Sequence, residues 1–197
     1  MRTFARLAAS AALAIFAAPA RAHLVETGFG AFYDGLAHVL VTPADLLVVV
    51  ALALLAGQRG SRAARLALFA LPLAWLAGGS AGARWPGVTV WPLWTTLTFT
   101  FAGALVAVNA KLRDAGVAIL AVVVGALHGL VAGATMVPGG AAPLALAGTV
   151  TAVFCATAIL GAESSALPAG WPRIAVRVAG SWIAASGLLM LGWLARA

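Results

Sequence analysis

Charge is what this chain has least of. Only 9% of its 197 residues are Asp, Glu, Lys or Arg, against roughly a quarter in a typical soluble domain. Hydrophobic residues make up 63%, and the mean hydropathy is +1.06. A water-soluble globule is excluded, and the chain reads as an integral membrane protein. With one cysteine, Cys155, it has neither an intramolecular disulfide nor a thiolate cluster for zinc or iron–sulfur. Cys155 lies in an apolar run and reads as a small packing residue. There is no Walker A loop, so any transport would be passive, ion-coupled or driven by a partner. With no Ser/His/Asp set, no dense histidine cluster and no haem-attachment cysteines, an enzyme is not expected. Acids are scarce too, five against twelve Lys and Arg, a formal charge of +7. The basic residues are scattered at the ends of apolar runs, which points to membrane topology rather than nucleic-acid binding.

What is there is a series of apolar runs. Residues 1–22 carry Arg2 and Arg6, the apolar stretch Leu7–Ala18, and small residues at Ala20 and Ala22. This is the pattern of a cleavable signal peptide, with an uncleaved anchor helix as the alternative. The mature chain, 23–197, is expected to be one all-α membrane domain. Six segments are near the ~20 residues a spanning helix needs: Gly35–Gly57, Ala64–Gly82, Val90–Ala110, Gly116–Val137, Pro143–Gly161 and Ile174–Leu194. They predict a polytopic bundle of about six transmembrane helices. With His23 outside, cytoplasmic connections hold Arg59, Arg62, Arg65, Lys111, Arg113, Arg173 and Arg177, leaving Arg84 and Arg196 outside. That asymmetry obeys the positive-inside rule. It predicts a multi-pass protein of the bacterial inner membrane with both mature termini outside the cytoplasm. The tryptophans read mostly as interfacial anchors. Gly125, Gly129 and Gly133, at four-residue spacing, form a ridge that lets another helix approach closely.

Polar side chains inside such a bundle are costly and call for an explanation. His38 and Asp45 lie in the first segment and His128 in the fourth; His23, Glu26 and Asp34 stand at the outer side. In a continuous helix Asp34, His38 and Asp45 project within about 40° of one another. Pro43 falls between the last two and is a candidate kink. Imidazoles with a few carboxylates suit borderline divalent ions better than magnesium or calcium. The metal-site candidates are therefore His38, Asp45 and His128, with His23, Glu26 and Asp34 as further ones. All but Asp45 have a named structural alternative: interhelical hydrogen bonds for His38 and His128, a solvated terminus for His23 and Glu26, and a helix start for Asp34.

A signal peptide ending before a histidine, a first helix with His…Asp-Leu-Leu and a fourth with His-Gly and a later Gly resemble the HupE/UreJ family. In that family the first helix typically reads His-Pro-x-x-Gly-x-Asp-His-Leu-Leu; here the stretch is His38-Val39-Leu40-Val41-Thr42-Pro43-Ala44-Asp45-Leu46-Leu47. The acid is displaced by one residue, and Leu46 stands where a histidine is expected. The fourth-helix pattern is similar to His-Gly-x-Ala-His-Gly-x-Glu; here His128, Gly129 and Gly133 match, while Ala132 replaces the second histidine and Thr135 the acid. The resemblance implies a nickel or cobalt permease, or an accessory protein supplying metal to hydrogenase or urease, with metalloenzyme-maturation partners. The alternative is a non-transporting membrane protein whose polar residues serve helix packing. Contact with lipid is expected throughout, homo-oligomerisation is open, and no nucleic-acid partner is expected.

Overall fold

The structure, a computed structural model, describes residues 27–85, 90–135 and 142–196. The predicted signal peptide, His23 and Glu26 lie outside the described residues. Seven helices and no strand occur among the described residues: α1 (Ala31–Val41), α2 (Pro43–Arg59), α3 (Ser61–Arg84), α4 (Pro92–Ala107), α5 (Asp114–Thr135), α6 (Ala142–Ala166) and α7 (Trp171–Leu194).

All six apolar segments become helical, but they are not six equal spans. Four helices, α3, α5, α6 and α7, are long and apolar enough to cross a membrane, and α1 with α2 makes a fifth candidate only as a pair bent by 75°. The continuous first helix expected over Gly35–Gly57 is thus corrected to two. The cause is Pro43. A residue before proline is pushed out of the helical region, and Thr42 sits at φ −92°, ψ 103°. Thr42 closes one helix and opens the next: its N–H donates to His38 O at 2.9 Å and its carbonyl accepts from Leu46 N–H at 3.0 Å. Pro43, which has no N–H, occupies the first position of α2, where none is needed.

The third segment is also shorter than expected. Helix α4 begins at Pro92 and ends at Ala107, 16 residues, and soon after it Asn109 takes a left-handed φ of 51°. Asparagine tolerates that conformation, which would strain a branched side chain.

Helix α2 is the centre of the bundle, packing against α3, α4, α5 and α6. Val48, Val49, Ala51, Leu52, Ala53, Leu55 and Ala56 along it are fully buried. The outer surface is as apolar as the core: Phe69, Leu73, Phe101, Ile119, Ile159 and Leu189 are all exposed, as they should be where lipid is the solvent. Lipid supplies no hydrophobic drive between helices, so close backbone approach must hold them together.

Helices α3 and α5 show how. A Cβ at Gly125, Gly129 or Gly133 would collide with the backbone carbonyl of Leu71, Trp75 or Gly79 respectively. Reciprocally, Gly78 and Gly82 face the carbonyls of Ala126 and Leu130. The partner numbers rise together, so the two helices run parallel. Helices α4 and α7 pack antiparallel through Gly103, Gly180 and Gly187. Cys155, expected to pack inside, is exposed.

Candidate functional site

Three helices deliver one polar chain into this apolar interior. Asp45 lies in the first turn of α2, where the helix dipole favours a carboxylate, and it is only 5% exposed. His128, in the second half of α5, is fully buried. Its Nδ1 is 2.7 Å from Asp45 Oδ1, and its Nε2 is 2.8 Å from Thr98 Oγ1 on α4. Thr98 in turn donates its hydroxyl proton to Thr95 O at 2.7 Å.

The donors can be counted along this chain. In every arrangement of protons one lies between His128 Nδ1 and Asp45 Oδ1, whose 2.7 Å separation requires it. Trp75 covers the imidazole, with ring centroids 5.7 Å apart and planes tilted by 35°. Trp75 is itself fully buried, so it is not an interfacial anchor, as the tryptophans were mostly expected to be; the other six are exposed.

His38 reaches the same carboxylate from the other side. Its Nε2 is 3.6 Å from Asp45 Oδ2, beyond direct hydrogen-bond range. Seven residues of a straight helix rise about 10 Å; the bend at Thr42 and Pro43 is what lets the two side chains meet. The imidazole side chain is 15% exposed, against 0% for that of His128.

The structure therefore brings His38, Asp45 and His128 together, in a row rather than around a common point. Among the described residues no group of three or more His, Cys, Asp or Glu could hold a metal ion. Asp34 is turned elsewhere: its Oδ1 accepts from the Thr27 N–H at 2.6 Å and the Thr27 hydroxyl at 2.7 Å. Sequence reasoning passed over Thr98 and Trp75 as partners of His128. Their only signals were a threonine-rich α4 and a tryptophan four residues from Gly79 on the helix that meets the glycine ridge.

The family model described as HupE / UreJ protein matches residues 11–190. The chain belongs to the HupE/UreJ family. No curated protein and no solved structure matches it. The family is associated with nickel or cobalt transport or with accessory roles, not with catalysis. In this HupE/UreJ protein the three positions where a family histidine or acid is replaced are apolar or self-satisfied. Leu46 is half-buried on α2, Ala132 is buried in the core, and the Thr135 hydroxyl bonds its own helix at Val131 O and Ala132 O, both 3.0 Å.

Proposed function

We propose that this HupE/UreJ protein takes a divalent transition-metal ion, of the nickel or cobalt type, as cargo between His38 Nε2 and Asp45 Oδ2. The observation that carries the reading is the 3.6 Å gap between those two atoms. Two donors each ~2.1 Å from a tetrahedral metal stand ~3.4 Å apart. A small closure makes the pair a ligand bite, with water completing the coordination. His128 is assigned a supporting part, because both its ring nitrogens are engaged: it orients Asp45 and balances its charge, as outer-shell partners do for metal ligands. Metal and proton compete for the same lone pairs, so affinity should fall as pH drops.

The orientation proposed is a site opening away from the cytoplasm. Contacts of Arg59 with Asn109, Arg62 with Asp114 and Arg177 with Ala107 gather the basic residues at one end of the bundle. Asp45 and His128 lie towards the opposite ends of their helices, and the positive-inside rule places the basic end in the cytoplasm.

Binding isotherms for Ni²⁺ and Co²⁺ on the purified protein, beside uptake in cells, test the reading. Asp45→Asn and His38→Gln should each weaken binding about tenfold or more. Unchanged affinity in both sinks it. The second reading, a membrane accessory protein whose polar groups serve packing, is favoured by the complete satisfaction of His128. It predicts lost thermal stability in His128 variants with no metal affinity in any form.

A further inference from the structure

The basic end of the bundle holds a second polar feature, far from the His/Asp row and independent of any metal. A cavity of about 160 Å³ lies where α2 ends, α6 ends and α7 begins. Its polar walls include Gln58, Arg59, Asn109, Arg173 and Arg177, and none of the described acidic residues lines it.

Three guanidinium groups around one small volume raise the local positive potential, which favours an anion among them. None is neutralised from within. Among the described residues the one ion pair joining an arginine to a carboxylate is Arg62 with Asp114, elsewhere on the same end. What the three arginines have instead are neutral tethers. Arg59 donates from Nη2 to the Asn109 side chain, Arg173 Nε to Leu167 O at 3.3 Å, and Arg177 Nε to Ala107 O at 2.9 Å. Tethering at Nε fixes the plane of the Arg173 and Arg177 heads and leaves their terminal nitrogens to fork onto a ligand oxygen pair. Gln58 is also fixed, its Nε2 donating to Val106 O at 3.1 Å. Arg59 Nε is buried without a hydrogen-bond partner, which an incoming oxygen would relieve.

We infer that this cavity binds a phosphate group, held by Arg59, Arg173 and Arg177. Planar guanidinium forks match phosphate oxygens, and they carry the site, since the Ser164 and Ser165 hydroxyls already donate to Leu54 O and Ala162 O. The cavity lies at the ends of spanning helices, the level of lipid headgroups, and basic pockets between helices there hold anionic headgroups. A phosphodiester of an anionic phospholipid and a soluble phosphate present the same chemistry to it.

The experiment uses the full chain in nanodiscs of phosphatidylglycerol or phosphatidylcholine, and in detergent with inorganic phosphate. Lipid retained through native mass spectrometry and the thermal unfolding midpoint are the readouts. Preferential retention of phosphatidylglycerol, falling about tenfold or more in Arg173→Gln/Arg177→Gln, supports a lipid headgroup. Stabilisation by inorganic phosphate alone, lost in the same variant, supports a soluble phosphate. Lys111→Gln/Arg113→Gln, at the same end but outside the cavity, should change neither. The inference is overturned if wild type responds to neither probe, or if the two double variants lose the response equally, which would mark general surface charge.

Discussion

Asp45 is held by a residue that cannot be replaced by shape alone. His128→Leu places an apolar side chain in a fully buried position but removes the ring nitrogen 2.7 Å from Asp45 Oδ1. A buried ionisable group left without that partner costs roughly 3–5 kcal/mol. His128→Gln retains an amide N–H that can reach the carboxylate, so its cost should be nearer ~1 kcal/mol. Thermal unfolding in detergent separates the two, and equal destabilisation would remove Asp45 from the explanation. The residues that mattered most were legible because histidine and aspartate are conspicuous in an apolar run. Thr98 was not, because a threonine in a membrane helix ordinarily bonds its own backbone, and Thr98 does that as well as meeting His128. Trp75 looked like its exposed counterparts; only packing distinguishes it.

At the scale of elements, the glycine ridge of α5 gives the sharpest contrast. A methyl at Gly129 would meet the backbone of Trp75, which has no flexible end to move aside. Gly129→Ala should therefore destabilise by about 1–3 kcal/mol. At Gly192, on α7, an added Cβ meets nothing within 4 Å, and Gly192→Ala should be neutral or stabilising by up to ~1 kcal/mol. Unfolding midpoints of the two single variants check the pair, and similar shifts would contradict backbone contact as the source. The helices themselves were legible from apolar runs, since a stretch of ~20 such residues has few alternatives. Their geometry was less so. Pro43 was visible, but a proline at a kink and a proline opening a new helix look alike in sequence, and the 75° bend depends on what α1 and α2 each pack against.

For the whole molecule, the basic end and the His/Asp row occupy opposite halves of the bundle, so orientation decides which compartment each one meets. A periplasm-active reporter should be active when fused after Arg196 and inactive when fused after Leu112; the reverse pattern would invert the proposed direction of metal capture. The break at Thr42 adds something that neither half shows alone. His38 rides on α1, which packs chiefly on α6, while Asp45 rides on α2 in the centre. Only Thr42 lies between those two helices, so the spacing of the two donors is governed largely by a pair of backbone torsions. Those torsions are held in turn, because α1 is clamped to α6: a Cβ at Gly35 would collide with Ala145 O and one at Gly148 with Phe32 O, so the two donors are set by separate seams of one frame.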